Sequence, residues 1–454
     1  MNILKYKVDS RKVEKGDTFI AIPGYTVDGH DYIIDALING ANKVVSEKDF
    51  ARIEVVPSTK KYLKKVLKEE YSDKINNNLK IIGITGTNGK TTTAYLCYQL
   101  LNLMGLECAY LGTLGYKSKN KEFMTSNTTP DILTIYNILL DSIEEGIKVI
   151  VMEVSSHALS YERIYGLKLD SAMFTNLTED HLDYHKNMDN YLLDKLKIVN
   201  YLSDDGKLIV NGDDDNSEKF ITKFGKGYTV GFSEKDDYYI KNIDISLEGT
   251  NIKFIYKEKE YSVNIPLANK FNVYNYMMAL SLVHEYGYSI YDIISKSKLL
   301  KSPPGRCELY KVKDGYVVID YAHTPDAVEK VISAYNELKR KRIITIIGCG
   351  GDRDPIKRPI MGSTSSKLSD YVIFTSDNPR TEDPEKIMND ILKGVNSDNY
   401  EVIIDRKEAI KKGIDLLEKD DILLILGKGH EDYQIIGHDK VHLDDKEEVM
   451  KYII

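Results

Sequence analysis

The sequence predicts an α/β fold in three domains: a small mixed N-terminal domain, a central parallel sheet with helices on both faces, and a C-terminal Rossmann-like α/β domain. Three observations predict it. A short β-rich run at 81–85 enters a glycine-rich turn and then a helical stretch at 90–104. Strand-like and helix-like stretches alternate on both sides of a Ser302-Pro303-Pro304-Gly305 break. Charged or glycine-rich motifs follow the β-runs of both halves, where ligands of parallel sheets bind.

The elements follow in order. Within 1–76, the apolar stretches 18–22 and 43–45 read as short strands, and 72–79, with three consecutive asparagines, reads as a linker. The next segment, 77–303, has further β-type runs at 148–154, 171–176 and 207–211, with helical patterns at 131–145 and 188–202 between them. Polar and apolar residues alternate over 233–265, as in an antiparallel excursion, and a helix is expected at 272–286. In 304–454 the strand-like runs are 316–321, 342–347, 371–375, 400–404 and 421–426.

A chain of 454 residues suits two to four domains, and 42% hydrophobic with 29% charged residues is ordinary for a globular protein. A net charge of −8 argues against a general nucleic-acid binder but not against an anionic small ligand, which a few local N–H groups can hold. The four cysteines form no CxxC pair and suit a reducing cytoplasm. No apolar run reaches the ~18 residues of a membrane helix, and the start shows no signal-peptide core, so a cytoplasmic protein with no membrane partner is expected.

The strongest motif is Gly86-Thr87-Asn88-Gly89-Lys90-Thr91-Thr92. Backbone N–H groups and the following helix N-terminus would cradle phosphates, Lys90 would reach the outer phosphates, and Thr91 would ligate Mg²⁺. Ile84 stands where the general phosphate loop has its first glycine. A chance strand-turn-helix connection is the bland alternative. Glu153, at the end of a buried-looking run, could hold a metal, although a strand-end glutamate is more often an ion-pair partner. Polar residues crowd Thr175 to His185; within them His181 is a second metal-ligand candidate or a capped loop histidine. Lys195 alone reads as a solvated lysine. The C-terminal motifs are Gly305-Arg306-Cys-Glu308, Asp320-Tyr321-Ala-His323, Gly350-Gly351-Asp352-Arg353-Asp354, Asp377-Asn378-Pro379-Arg380 and Gly427-Lys428-Gly429-His430-Glu431. Their mix of Arg with Asp and Glu suits a zwitterionic ligand.

Together with Phe271-Asn-Val-Tyr-Asn275, these motifs stand in the order of the Mur ligases, and from Asp9 to Glu431 the chain resembles that family, in particular its diamino-acid-adding type. The resemblance implies an ATP- and Mg²⁺-dependent enzyme, built of three domains at 1–76, 77–303 and 304–454, that joins meso-diaminopimelate to a UDP-MurNAc-dipeptide through an acyl phosphate. It implies a P-loop ATPase-type central domain in which Gly86, Thr87, Asn88, Gly89, Lys90, Thr91 and Thr92 bind ATP. Asn275, Arg306, Asp320 and His323 match further ATP contacts. Thr91, Glu153, His181 and a carbamylated Lys195 match the metal site, with Lys90, Glu153, His181 and Lys195 catalytic. Ser10, Gly24, Tyr25, Thr128, Thr129, Ser155 and Arg163 match nucleotide-sugar contacts. Arg353, Asp377, Asn378, Arg380, Gly427 and Glu431 match the amino-acid pocket. Asn269 and Lys270 stand where a glycine is usual before Phe-Asn, and Tyr161 replaces an expected glutamine. A monomer is expected. The rival readings are a related ligase acting on L-lysine or on another acid, such as a folylpolyglutamate synthase, and a non-catalytic nucleotide-binding module. Arg380 has its own bland reading, a surface pair with Glu382 or Asp383.

Overall fold

The computed structural model describes residues 4–24, 27–49 and 53–453. The chain divides into two compact units: residues up to Ile240 with Ile255–Glu258 and Asn275–Ile293, and Lys241–Phe254 with Lys259–Tyr274 and Ile294–Ile454.

The first unit opens with four short parallel strands in the order Tyr6–Lys7, Thr18–Ile20, Lys43–Ser46, Glu54–Val55. Phe19, Ala21 and Val44 bury against Ile33 and Ala36 of the helix Ile33–Ile38. The expected linker at 72–79 is helical instead. Helix Thr59–Leu67 runs through a π turn, Lys68–Ser72, into Asp73–Asn78. Leu63, Val66, Leu67, Ile75 and Leu79 bury along it, and this apolar face outweighs the low helix propensity of the asparagines. The asparagines bond locally: Asn78 donates to the Lys74 carbonyl at 2.7 Å, and Asn76 donates to the Gly166 carbonyl at 3.1 Å while accepting from Lys168 N–H at 3.0 Å.

The central strands lie in the order Tyr228–Gly231, Leu202–Asn211, Leu169–Phe174, Lys80–Thr85, Val149–Glu153, Cys108–Gly112, all parallel, with Gly115–Lys117 and Glu122–Phe123 added antiparallel. Strands such as Val149–Glu153 are buried along their whole length, which fits a sheet covered on both faces. The helix expected at 188–202 is shorter, Met188–Leu196 followed by a 3₁₀ turn to Tyr201, and the next strand begins at Leu202. Strands Tyr238–Ser246, Gly249–Tyr256 and Lys259–Ile265 fill the segment 233–265 as sheet neighbours in chain order, and the first also pairs parallel with Tyr228–Gly231.

In the second unit six strands take the order Glu308–Val312, Gly315–Asp320, Ile422–Leu426, Ile343–Ile347, Tyr371–Phe374, Tyr400–Val402. The first pair is antiparallel and the rest parallel. Asp320 sits directly opposite Leu426, so the motifs after these strands emerge at one sheet edge. Arg406 and Asp445, both fully buried, form a two-bond pair (2.7 Å each) that ties the helices Arg406–Asp415 and Asp445–Met450 together. Among the described residues no helix is long and apolar enough to cross a membrane, and all four cysteines are free and buried.

Candidate active site

Strand Lys80–Thr85 delivers the glycine turn to the N-terminus of helix Lys90–Leu103. Residues 175–178 hold that turn from the neighbouring strand end. Thr87 N–H donates to the Asn176 carbonyl at 2.8 Å, Asn88 N–H donates to the Asn176 side chain at 2.9 Å, and Thr175 Oγ1 donates to the Asn88 carbonyl at 2.6 Å. Gly86 has φ +144°, and a methyl group there would stand 1.9 Å from Thr175 Oγ1, so only glycine fits. Lys90 folds back onto the Gly86 and Thr87 carbonyls at 2.9 and 2.8 Å. Thr91 and Thr92 are buried in the first helical turn. Asn275, on the helix Lys270–Glu285, accepts from Thr93 Oγ1 at 3.1 Å and lies against Gly89.

Glu153 is fully buried yet oriented by four donors. Thr91 Oγ1 donates to it at 2.9 Å, Thr113 N–H at 2.9 Å, Thr113 Oγ1 at 3.2 Å and Tyr110 OH at 2.5 Å. A methyl group at Gly112 would fall 2.2 Å from the same carboxylate. Thr113 also meets Thr128 Oγ1 at 3.1 Å, joining the carboxylate to the predicted substrate-side residues. Thr129 Oγ1 donates to the Glu153 carbonyl at 2.8 Å and accepts from Ser155 N–H at 3.0 Å; Arg163 donates to the Thr129 carbonyl at 2.5 Å. The sequence singled out neither Tyr110 nor Thr113. Their strand, Cys108–Gly112, lies beside Val149–Glu153, a pairing between distant segments that no local pattern marks.

Lys195 is 1% exposed and is not the solvated lysine that it resembles in isolation. Its Nζ donates to the Gly86 carbonyl at 2.7 Å and lies 4.2 Å from the Tyr191 ring centroid. Burial, and then the positive charge of Lys90, hold its amine well below the usual lysine range against a weaker opposite pull from Asp180. His181 adopts φ +55°, with a half-exposed side chain 3.5 Å from Asp180 and its ring edge-on to His157. His157 is pushed down to about 4, first by burial and then by its neighbours His181, His185 and Arg163. His185 bridges Ser156 Oγ and Asp194, at 2.9 Å each. Among the described residues no three His, Cys, Asp or Glu side chains converge on a metal by themselves. Mg²⁺ needs no such cage, since it is held by one or two carboxylates plus phosphate oxygens and water. A single pre-oriented carboxylate beside a threonine hydroxyl at a phosphate-type loop fits it.

On the N-terminal sheet, Ser10 is buried at the start of a 3₁₀ turn and its carbonyl accepts from Asn39 Nδ2 at 3.0 Å; Gly24 N–H donates to the Val27 carbonyl at 3.0 Å. Tyr25 lies outside the described residues.

In the second unit Arg306 stacks 4.7 Å over Tyr321, whose ring also meets His323 and His430. Asp320 accepts from Cys307 N–H and Ala322 N–H at 2.8 Å each. A second cluster forms around Asn378. Its Nδ2 donates to Glu431 at 2.9 Å, and its Oδ1 accepts from Ile435 N–H at 2.9 Å. Asp377 accepts from Asn378 N–H at 2.6 Å and lies against Gly427. Arg380, at φ +52°, is fixed between strands by Arg380 N–H to Ile435 O (2.9 Å) and Gly437 N–H to Arg380 O (2.7 Å). Its guanidinium donates to the Gly351 carbonyl at 2.7 Å, and no described carboxylate lies within ion-pair distance. Glu382 instead pairs with the buried Arg358 at 2.7 Å, and Asp383 caps the helix Pro384–Leu392. Arg353 is exposed and, among the described residues, bonds only to the Asp352 carbonyl, so the geometry does not draw it to Asn378 or Glu431.

A phosphate-type loop beside a locked carboxylate, at the carboxyl end of a parallel sheet in the first unit, defines a nucleotide-phosphate class of site. Residues 3–83 match the family description "Mur ligase family, catalytic domain", 84–283 "Mur ligase middle domain", and 305–429 "Mur ligase, glutamate ligase domain". The chain belongs to the Mur ligase family. It is 40% identical to UDP-N-acetylmuramoyl-L-alanyl-D-glutamate--2,6-diaminopimelate ligase 1 of Clostridium acetobutylicum, over 98% of this chain and 93% of that protein. The ligase of the same name from Aquifex aeolicus is 40% identical over 98% and 92%. A solved structure of a protein with that name superposes with a TM-score of 0.72 at 34% identity, covering 98% of this chain and 94% of the other.

Proposed function

We infer that this chain is a cytoplasmic ATP-dependent ligase that joins meso-diaminopimelate to the D-glutamyl γ-carboxylate of UDP-MurNAc-L-alanyl-D-glutamate, making a peptidoglycan precursor. The observation that carries the reading is the Thr91–Glu153 contact at the phosphate-type loop, joined to relatives at 40% identity that bear this ligase name over nearly their whole length.

The γ-carboxylate oxygen attacks the γ-phosphorus of ATP, and ADP leaves; the acyl phosphate is then attacked by the amine of the incoming amino acid, which expels phosphate. Mg²⁺, when bound, neutralises the phosphate charge that shifts during transfer. Thr91, Glu153, His181 and a carbamylated Lys195 are the residues proposed to hold it. The N–H groups of 86–92 and the Lys90 ammonium bind and orient the phosphates. Asn275, Arg306, Asp320 and His323 are assigned to the nucleotide; Ser10, Gly24, Tyr25, Thr128, Thr129, Ser155 and Arg163 to the UDP-sugar peptide; and Arg353, Asp377, Asn378, Arg380, Gly427 and Glu431 to diaminopimelate. The division of labour follows 1–76, 77–303 and 304–454, and the working unit is a monomer.

The test is direct: purified protein is incubated with ATP, Mg²⁺, UDP-MurNAc-L-alanyl-D-glutamate and either diaminopimelate or L-lysine, and ADP and tripeptide product are measured. Diaminopimelate-dependent product supports the reading. ATP binding without ligation of either amino acid would overturn it, and preference for L-lysine would replace the substrate.

A further inference from the structure

Lys428 has a side chain with no solvent exposure, in a segment where Glu431 is only 17% exposed. An ammonium is costly to bury unless its hydrogens are all received. Here they are: Nζ donates to Glu431 Oε2 at 3.2 Å, to Asn378 Oδ1 at 3.4 Å, and to the Tyr433 carbonyl. Lys428 therefore has no donor left to offer a ligand. Glu431 is held unequally. Its Oε2 accepts from both Lys428 and Asn378 Nδ2, while no bond to Oε1 is found among the described residues. One oxygen is anchored and the other is left for something else. The same cluster reaches Arg380, because Asn378 Oδ1 accepts from Ile435 N–H and Ile435 O accepts from Arg380 N–H.

We propose that Lys428 is a positioning residue for amino-acid selection: with Asn378 it aims the free oxygen of Glu431 at the side-chain ammonium of the incoming diamino acid. This rests on the reading of the second unit as a diaminopimelate pocket. Lys428 acts on the ligand only through Glu431, so its effect depends on a ligand amine and on an intact carboxylate at 431. Two ions fixed against each other before binding spare the ligand the cost of orienting the acceptor.

The experiment compares wild type, Lys428→Met, Glu431→Gln and the double variant, using meso-diaminopimelate and 2-aminopimelate, which keeps both carboxylates and lacks the second amine. Circular dichroism and the KM for ATP report folding. Lys428→Met should raise the KM for diaminopimelate about tenfold or more, with kcat little changed, and should leave kcat/KM for 2-aminopimelate within about twofold. In the Glu431→Gln background the same substitution should have little further effect on diaminopimelate. Equal losses on both amino acids, or an undiminished loss in the Glu431→Gln background, would show a merely structural lysine and overturn the proposal. A wild type that does not use diaminopimelate at all overturns the functional reading instead, before any variant is compared.

Discussion

Lys195 Nζ donates to the Gly86 carbonyl at 2.7 Å, and that carbonyl also receives Lys90 at 2.9 Å. Burial, and then repulsion by the Lys90 charge on the same backbone oxygen, make Lys195 yield its proton more easily. A neutral lysine amine is the form that adds CO₂: the nitrogen lone pair forms the new N–C bond, one proton is released, and an anionic oxygen donor results. The carbamate keeps one N–H, so the bond to Gly86 can persist.

Lys195→Ala should thus lower ligation on the order of 10²–10³-fold, and a short carboxylic acid in solution should restore part of it. Labelled bicarbonate should give a carbamate carbon signal in wild type that the variant lacks. A wild-type sample without that signal, saturated with bicarbonate and Mg²⁺, would contradict the assignment.

Lys90→Ala should lower ATP turnover on the order of 10²–10³-fold, with an unchanged circular dichroism spectrum and Tm. Lys90 bonds to loop carbonyls and is half-buried, so the loss is in phosphate binding and not in core packing. Near-normal turnover by this variant would remove the loop from the mechanism.

Arg380→Ala should erase a preference for diaminopimelate over L-lysine. The two differ by one carboxylate, and a guanidinium left without its anion in a closed pocket costs about 1–3 kcal/mol, or roughly ten- to a hundredfold in kcat/KM. The discrimination is measured as the ratio of kcat/KM values in both proteins. A ratio that survives the substitution would assign the distal carboxylate to another residue.

His430 supplies a pH test. Burial, and then the positive Arg306, push its imidazole down to about 4. The unfolded chain takes up the proton near 6.5 and the folded chain only near 4, so folding stability rises with pH across that window. His430→Asn cannot take up the proton. Relative to the variant, wild type should lose stability as pH falls from 6.5 to 4, measured by urea denaturation at pH 4.5 and 7.5. An equal difference at both pH values would deny the shift.

The sequence made some of this site legible. The glycine turn after an apolar run marks both the strand end and the helix start, because those features are local. The edge shared by the C-terminal motifs was also legible, since ligands of parallel sheets gather at carboxyl ends. Thr113, Tyr110 and Arg358 were not, because each acts across a pairing of distant segments. Lys428 stood inside a recognised motif, but only its burial beside Glu431 separates it from a surface lysine. The helix Asp73–Asn78 was missed because the asparagine run outweighs its buried Ile75 when read locally.

Arg380 lies in the turn that follows the sheet strand Tyr371–Phe374, and its backbone bridges to Ile436 of the little two-stranded ribbon Tyr433–Ile436 and Asp439–His442. Its left-handed backbone, at φ +52°, is costly for a residue with a side chain and is sustained by that ribbon's carbonyl at Ile435 and N–H at Gly437. On the proposed assignment of Arg380 to the amino acid, that choice can therefore drift without disturbing phosphoryl chemistry. On that reading, the ribbon and the 377–380 turn are best redesigned together, because the ribbon's bonds sustain the left-handed backbone from which Arg380 projects.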